Sequence, residues 1–307
     1  MTILSRSHFR ASFKGMGFDR MWQGPHNPCG ASPCIGKQCK RGQALPPEAR
    51  LGWGRWSSQW VAKGEVGKSR SLLKRYKAQL HSLSLPEKEA AVGVMLGDAS
   101  LQTQDGGRTH RLKLLQGEKN RLYLCHLSEL FSDWILSPPA PQHRVSALGR
   151  EARAWRTQTM SHRAFNELAE IFLPDGGKKS IPPNLVGEHL TPRGLAYWLM
   201  DDGGRSNYNR DRPELRGMTI NTQGFTEEEV TWLSNGLRLH FRLDCWVGRN
   251  KGRWVITISG RSFPHLMRMV GPYLHPSMLY KFPLAALAEL EKLGPANHAG
   301  EGQGATE

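Results

Sequence analysis

The sequence predicts an α+β fold in which one helix–hairpin–helix–hairpin–helix unit, αββαββα, occurs twice. Two runs of small and apolar residues, 91–98 and 195–202, have helical length and align residue by residue. Each run ends in an acid, Asp98 or Asp202, and a lysine follows 81 residues after the first acid and 79 after the second. Predicted elements follow both runs in the same order. Self-similarity of this length indicates an internal duplication.

Local signals define the elements of the first unit. The segment 84–87, Ser-Leu-Pro-Glu, predicts a helix start, because proline fits the first helical turn and an acid stabilises a helix N-terminus. The Asp-Gly-Gly sequence at 105–107 predicts the turn of a hairpin. The remaining elements predicted here are a basic helix over 71–81 before the unit, a helix over 118–134, a strand pair over 145–158 and a helix over 162–172.

The second unit repeats this order. Thr191-Pro192 predicts a helix start, and Thr226 with Glu229 has the spacing of a capping box. The other elements predicted here are a strand over 218–223, a helix over 226–241, a strand pair over 245–259 and a helix over 263–274.

Proline-rich connectors and changes in composition predict the domain limits. The segments 137–141 and 181–183 are extended connectors that a helix cannot cross, and the second of them separates the two units. We therefore expect a first subdomain at 67–183 and a second at 184–284. A leader at 1–66 is predicted to be disordered, and in a tail at 285–307 disorder is predicted from residue 292 onward.

The leader has an unusual composition with two interpretations. It contains a single acid before Pro47, Asp19, and its first twenty residues are rich in Arg and Ser. This composition is typical of organellar transit peptides, and the alternative is an extension that targets nothing. The leader also contains possible zinc ligands, although their spacing matches no common zinc frame: His26, Cys29, Cys34 and Cys39. A leader without a metal is the favoured interpretation. Cys125 and Cys245 lie in apolar runs and are predicted to be buried thiols.

Charge indicates the kind of partner. The chain of 307 residues has a formal net charge of +15 and an isoelectric point of about 9.9. Positive charge of this size on a folded chain favours a polyanion, and nucleic acid fits best. The sequence has no apolar run of about 18 residues, so we expect no membrane span.

Several stretches resemble the LAGLIDADG family of intron-encoded homing endonucleases, in its form with two motifs in one chain. They are LGDAS at 96–100, DWILSPP at 133–139, LTPRGLAYWLMDDGG at 190–204, NTQGFTEEEV at 221–230 and MLYKF at 278–282. The resemblance implies two pseudo-symmetric LAGLIDADG subdomains joined by motif helices that cross at a pseudo-twofold axis. It further implies a saddle-shaped antiparallel sheet in each subdomain that binds the major groove of double-stranded DNA, and a monomer. It favours an organelle, mitochondrion or chloroplast, over the nucleus or cytoplasm.

The resemblance also implies an active site at the ends of the motif helices. Asp98 and Asp202 would be the catalytic acids and bind Mg²⁺ or Mn²⁺ together with phosphate oxygens and water. Gly97 and Asp201, which directly precede them, would belong to the same metal site. Alignment with Asp98 selects Asp202 over Asp201, and Asp201 is expected to be a neighbouring or solvated acid. Lys179 and Lys281 match the active-site lysines of the family, although Lys178 competes with Lys179.

Candidates for DNA contact are polar residues of the hairpins beside the motifs. Arg and Lys can bind phosphate or guanine, and Asn can bind adenine; for each residue the alternative is a solvated surface. The candidates are Arg108, Arg111, Lys113, Arg153, Arg156, Arg205, Asn207, Tyr208, Asn209, Arg210, Arg249, Asn250, Lys251 and Arg253.

The function predicted from these observations is a site-specific endonuclease that makes a double-strand break and promotes intron mobility. A maturase that binds intron RNA and assists splicing is the alternative, because the family includes such proteins. A protein that binds DNA without cutting it is a third class, which the presence of both acids disfavours.

Overall fold

A computed structural model describes residues 64–145, 151–174, 177–206 and 217–294. All of them lie in one compact unit, Trp60–Glu307. Most of the leader, with its four possible zinc ligands, and the end of the tail therefore lie outside the described residues. Residues 64–68, at the end of the predicted leader, are helical. In the part of the chain that is described, no helix has the length and apolar character needed to cross a membrane.

The first repeat has the predicted αββαββα order. Helix α1 precedes this repeat. The sheet of the repeat is antiparallel with the strand order β1-β2-β4-β3. The elements are α1 Arg70–Gln79, α2 Leu85–Leu96, β1 Ser100–Thr103, β2 His110–Gly117, α3 Arg121–Leu130, β3 Ala140–Val145, β4 Glu151–Gln158 and α4 Asn166–Phe172.

The second repeat has the same order, and its antiparallel sheet has the equivalent strand order β5-β6-β8-β7. A short helix connects the two repeats and another follows them. The elements are α5 Leu185–Glu188, α6 Pro192–Asp202, β5 Gly203–Arg205, β6 Met218–Ile220, α7 Glu227–Phe241, β7 Cys245–Asn250, β8 Arg253–Ile258, α8 Phe263–Val270 and α9 Leu284–Lys292. The α+β class with two antiparallel sheets is confirmed.

The helix starts arise from the capping residues seen in the sequence. The Glu87 carboxylate accepts a hydrogen bond from the backbone N–H of Ser84 at 2.7 Å and a second from the Trp134 indole at 3.0 Å. In α7 the capping box forms as predicted, since Glu229 accepts from the backbone N–H of Thr226 at 2.7 Å. Glu229 also accepts from the backbone N–H of Ile181, which ties the connector between the repeats to the second repeat.

The second strand pair of the first repeat begins earlier than predicted. Strand β3 starts at Ala140 and contains Pro141, which the sequence assigned to a connector. Proline is tolerated because β3 is the edge strand and pairs only with β4, so no second neighbour requires its missing N–H. Several predicted elements are shorter. The helices at 118–134 and 162–172 narrow to α3 and α4, each after a 3₁₀ turn, α1 ends at Gln79, α8 ends at Val270, and β6 ends at Ile220.

Each repeat has its own apolar core beneath its sheet. Trp134, Phe165 and Phe172 are buried in the first, and Leu233, Ile256, Phe263 and Met267 in the second. Cys245 is a buried thiol as predicted, whereas Cys125 is only half-buried.

Candidate active site

Helices α2 and α6 pack at a distance that only glycine permits. A Cβ atom added at Gly93 would collide with the carbonyl oxygen of Gly194, and one added at Gly97 would collide with the Cβ atom of Asp201. The bulky Tyr197 and Trp198 do not prevent this approach: both side chains are buried, and the Cβ atom of Tyr197 lies where only a glycine at 93 leaves room for it. The close contact brings the C-terminal ends of the two helices together.

Three carboxyl groups meet at these ends. Asp98 lies two residues after the end of α2, behind the C-cap Gly97, and Asp202 is the last residue of α6. Asp201 lies between them: it is 5% exposed, and its Oδ2 accepts the backbone N–H of Asp98 at 3.3 Å. Asp201 is thus a buried member of the group: of the two predicted alternatives, the structure agrees with the neighbouring acid and not with the solvated one.

A glutamine side chain joins two of these acids. Gln116 Nε2 lies 3.1 Å from Asp98 Oδ2 and 3.0 Å from Asp201 Oδ1, and it donates to both. The amide is buried on the core side of β2, in line with Leu112 and Leu114. It neutralises part of the negative charge without carrying a formal charge.

Crowding and burial raise the pKa values of all three acids. Desolvation by the helix pair, followed by repulsion from Asp98, raises the pKa of Asp202 to about 7 against the attraction of two lysines. Desolvation also raises the pKa of Asp98, although solvent still reaches its side chain. Burial and the two neighbouring acids raise the pKa of Asp201 well above its ordinary range. Carboxyl groups that bind protons so readily mark a position that attracts cations.

Two lysines complete the group in a symmetric way. Lys179 Nζ donates to the carbonyl oxygen of Gly97 at 3.0 Å, and Lys281 Nζ donates to the carbonyl oxygen of Asp201. Each lysine therefore binds the residue that directly precedes one of the two aligned acids. Lys179 is half-buried in this contact while Lys178 is exposed, so the structure places Lys179 beside the acids. Desolvation lowers the pKa of Lys179, and the three acids oppose that change.

The part of the chain that is described contains no group of three or more His, Cys, Asp or Glu side chains arranged to hold a metal by themselves. A metal at the helix ends would need further oxygen ligands from a substrate or water.

The open face of the first sheet carries three of the predicted DNA contacts. The buried residues Leu101, Leu112 and Leu114 define the core side of β1 and β2. Side chains alternate along a strand and match across paired strands. The open side therefore contains Arg111, Lys113 and Arg156. Arg108 lies in the β1–β2 turn, where its Nε donates to the carbonyl oxygen of Asp105.

Arg153 belongs to the opposite face. It lies in register with the core side of β4, where Thr157 is buried, although its own side chain is exposed near the end of the strand. The sequence could not choose between Arg153 and Arg156. A separation of three residues places them on opposite faces of a strand, but only the structure shows which face is the core.

The second sheet differs from the first in its side chains. Lys113 pairs with Ser100, two residues after Asp98. Thr219 pairs with Gly204, two residues after Asp202, so Thr219 occupies the place of Lys113. A groove of about 580 Å³ lies on this face, and its lining includes Thr219, Trp246, Thr257 and Asn250. Arg253 pairs with Asn250 on the same open side, and Lys251 occupies the turn with a φ of 51°.

Two other arginines of the second sheet make contacts within the protein. Arg205 lies on the side of the buried Met218, and its Nε donates to the carbonyl oxygen of Phe282 at 2.9 Å. The Arg249 guanidinium lies 4.0 Å from the ring centre of Trp254. Strand alternation assigns both residues to the side opposite Thr219, but both side chains are exposed and both line the edge of the groove. Asn207, Tyr208, Asn209 and Arg210 lie outside the described residues.

Sequence reasoning missed the residues behind the acids, namely Gln116, Asn120 and Tyr280. One signal was present: Gln116 interrupts the alternation of buried leucines in β2, where an apolar residue would be expected.

The fold and this site together define a two-repeat protein with one pair of acids at its pseudo-twofold axis. The model of the LAGLIDADG DNA endonuclease family matches residues 88–266, so the chain belongs to the LAGLIDADG DNA endonuclease family. The predicted family, enzyme class and nucleic-acid partner, double-stranded DNA, are confirmed at this level.

Similar proteins include an intron-encoded endonuclease, a maturase and a homing endonuclease. A probable intron-encoded endonuclease 1 of Wickerhamomyces canadensis is 37% identical over 217 residues, which cover 70% of this chain and 92% of the relative. The cytochrome b mRNA maturase bI2 of Debaryomyces hansenii is 28% identical over 198 residues, which cover 63% of this chain and 72% of the relative. The structure of the homing endonuclease I-WcaI bound to its DNA recognition sequence superposes with a TM-score of 0.65 at 35% identity, over 71% of this chain and 96% of that one.

Proposed function

We propose that this protein is a site-specific homing endonuclease that cuts both strands of DNA and promotes the mobility of an intron, with Asp98 and Asp202 as the catalytic acids. One observation carries the assignment of these residues: the two acids are aligned in the repeats, and each follows a residue whose carbonyl oxygen binds a lysine. Such symmetry suits a reaction that is performed twice, once on each strand of a duplex.

A divalent cation, Mg²⁺ or Mn²⁺, fits the donors at the helix ends. The carboxylates of Asp98 and Asp202 and the carbonyl oxygens of Gly97 and Asp201 are hard oxygen ligands of the kind these ions prefer. Each carbonyl oxygen keeps a second lone pair beside its hydrogen bond to lysine. When bound, such a metal supplies activation of water and stabilisation of the leaving oxygen.

The protein's own residues position and stabilise the reacting groups. Asp98 and Asp202 place negative charge at the ends of α2 and α6, where they would orient the metal and its water ligands. Lys179 and Lys281 place a positive charge next to each acid, where it stabilises the charge that develops on a phosphate during hydrolysis. Gln116 keeps the buried Asp201 and the accessible Asp98 bonded to one amide, so the two carboxylates stay in fixed positions.

The two sheets provide the binding surface for the duplex. On the first sheet Arg111, Lys113 and Arg156 supply positive charge on the open side. At the outer part of the second sheet Arg253 and Lys251 supply positive charge, and Asn250 supplies a neutral amide. Arg108 at a turn, and the exposed Arg153, Arg205 and Arg249, are expected to contact phosphates at the margins of the site. An organellar location fits a relative named for cytochrome b mRNA.

Replacement of the acids tests this function. The protein is incubated with Mg²⁺ and a randomised duplex library, and cut molecules are sequenced to define the target. Asp98→Asn and Asp202→Asn are expected to abolish double-strand cleavage of that target while DNA binding persists, because the amide keeps the shape but loses the negative charge. Asp244→Asn, on an exposed acid outside the site, is the matched control. Full cleavage by either active-site variant would refute the assignment.

A maturase is the second candidate, which the similarity to the Debaryomyces hansenii maturase favours. The two functions differ in their preferred ligand. At one fixed salt concentration, a maturase would bind its host-intron RNA more tightly than any duplex and would cut no duplex in Mg²⁺. Better competition by the cut target than by intron RNA supports the endonuclease.

A further inference from the structure

A chain of hydrogen bonds runs from the second repeat to the acids of the site. The Tyr280 hydroxyl donates to Asn120 Oδ1 at 2.9 Å, and Asn120 Nδ2 donates to Gln116 Oε1 at 3.0 Å. Gln116 Nε2 in turn donates to Asp98 at 3.1 Å and to Asp201 at 3.0 Å. Every bond points the same way, from the tyrosine hydroxyl towards the carboxylates.

The direction of this chain matters because an amide has two different ends. If the Gln116 side chain turned over, its carbonyl oxygen would face two carboxylates and its NH₂ group would face the NH₂ group of Asn120. Asn120 prevents this only while its own oxygen faces Tyr280, whose hydroxyl is available as a donor. Gln116 and Asn120 are buried, so bulk water is a poor substitute for either partner.

The second repeat is built differently at the equivalent place. Strand register makes Thr222 the counterpart of Gln116, since each lies three residues after the aligned positions Thr219 and Lys113. Thr222 Oγ1 donates to the backbone carbonyl of Trp254 and not to an acid. Among the described residues, the hydrogen-bond chain therefore reaches Asp98 and leaves the side chain of Asp202 outside it.

We propose that Asn120 and Tyr280 are positioning residues, which act through Gln116 to hold the Asp98 and Asp201 carboxylates in place for cleavage of one strand. Gln116 is the residue in contact with the acids. Tyr280, which lies next to Lys281 in sequence, belongs to the second repeat, whereas Asp98 belongs to the first. The second repeat therefore orients the acid that the first contributes. This inference rests on the catalytic roles proposed above for Asp98 and Asp202.

The test is Tyr280→Phe, which removes the hydroxyl and keeps the ring. Cleavage of the end-labelled target in Mg²⁺ is expected to slow about fivefold for one strand, the value of one ordinary hydrogen bond. Nicked duplex should then accumulate with the same strand cut in every molecule. Affinity for the target in EDTA should stay at the wild-type value, and the thermal midpoint of unfolding should fall by no more than a few degrees. Tyr273→Phe makes the same change on a ring that contacts Arg193 instead, and should cut like the wild type.

A double-mutant cycle determines whether Tyr280 acts through Gln116. In a Gln116→Ala background, Tyr280→Phe should have no further effect, because the group that it positions is gone. Asn120→Asp, which cannot donate to Gln116, should show the same strand bias. Equal slowing of both strands, or independent effects of Tyr280→Phe and Gln116→Ala, would overturn the proposal. Asp98→Asn is included in parallel: if it still cuts, the proposed active site has failed, whereas a dead Asp98→Asn with a normal Tyr280→Phe refutes this inference alone.

Discussion

Glu89 and Arg193 occupy equivalent positions in the two repeats and form a salt bridge, with 2.9 Å between Glu89 Oε2 and Arg193 Nε. The same offset of 104 residues relates Gly97 to Asp201, which also face each other. Equivalent residues meet where a twofold axis passes, so the pseudo-twofold axis runs between α2 and α6. The helix pair is at once the centre of the molecule and the support of the acids.

We expect Glu89→Gln to lower the free energy of unfolding by about 1 kcal/mol, because the pair is largely shielded from water. Arg193→Gln should cost more, since the guanidinium also lies 4.6 Å from the ring centre of Tyr273. Urea denaturation measures both. Glu65→Gln breaks the exposed pair with Lys68 and should have almost no effect; a loss there equal to that of Glu89→Gln would contradict the role of shielding.

Gly93→Ala tests the close approach of the helices. Alanine favours a helix by about 1 kcal/mol over glycine, but the added methyl group would meet the backbone of Gly194, which cannot move aside alone. We expect a net destabilisation of about 2 kcal/mol and weaker cleavage, measured by denaturation and by cutting rate. The matched control is Gly248→Ala, where the added group meets open space. A more stable Gly93→Ala protein would show that the helices are not in close contact.

The raised acid pKa values predict a particular pH dependence of stability. The folded protein binds a proton at Asp202 up to a pH of about 7, whereas an unfolded chain releases it near the ordinary value of 3.8. Stability contributed by this group is therefore present at low pH and is lost as pH rises from about 4 to 7. Without divalent metal, Asp202→Asn should melt a few degrees higher than the wild type at pH 8 and at nearly the same temperature at pH 4.

Added Mg²⁺ should reverse that order. A cation neutralises the acid in the wild type and has less to bind in the variant, so the wild type should gain more thermal stability at pH 8. An Asp202→Asn protein that is less stable than the wild type at pH 8 without metal would contradict the crowding of the carboxyl groups.

The open face of the first sheet predicts which residues bind phosphate or bases. Lys113→Gln and Arg156→Gln should each weaken binding to the target. If the contact is a phosphate, the slope of log affinity against log salt falls by about 1 and all sequences are affected alike; if it is a base, discrimination at one position is lost. Arg153→Gln removes the same charge from the other face of β4 and should change binding least. Equal effects of Arg153→Gln and Arg156→Gln would refute the assignment of faces.

Local signals predicted the framework of the fold well. The duplicated runs identified both motif helices, and the caps at Ser84 and Thr226 set the start of α2 and α7 to the residue. These features depend on neighbours in sequence, so single segments carry them. The pairing of Asp98 with Asp202 followed from alignment of the repeats, and the structure brings both to the helix ends.

The remaining features depend on contacts between distant segments. Tyr280 reaches Asn120 across 160 positions, and no periodic pattern encodes such a contact. The faces of Arg153 and Arg205 required the strand register, because a side chain changes side with a shift of one residue. The alignment of the repeats gave Asp201 no role of its own. Its carboxylate is buried because Gly97, the equivalent residue of the first repeat, has no side chain in the way.

Thr219 in the place of Lys113 has a consequence for how this enzyme can diverge. Because the duplicated halves are fused in one polypeptide, a mutation in one sheet leaves the other sheet unchanged, and the recognised sequence need not be a palindrome. The left and right halves of the target can drift separately while the glycines between α2 and α6 stay fixed. The fusion thus separates the sheet residues that recognise DNA from the helix residues that hold the two repeats together.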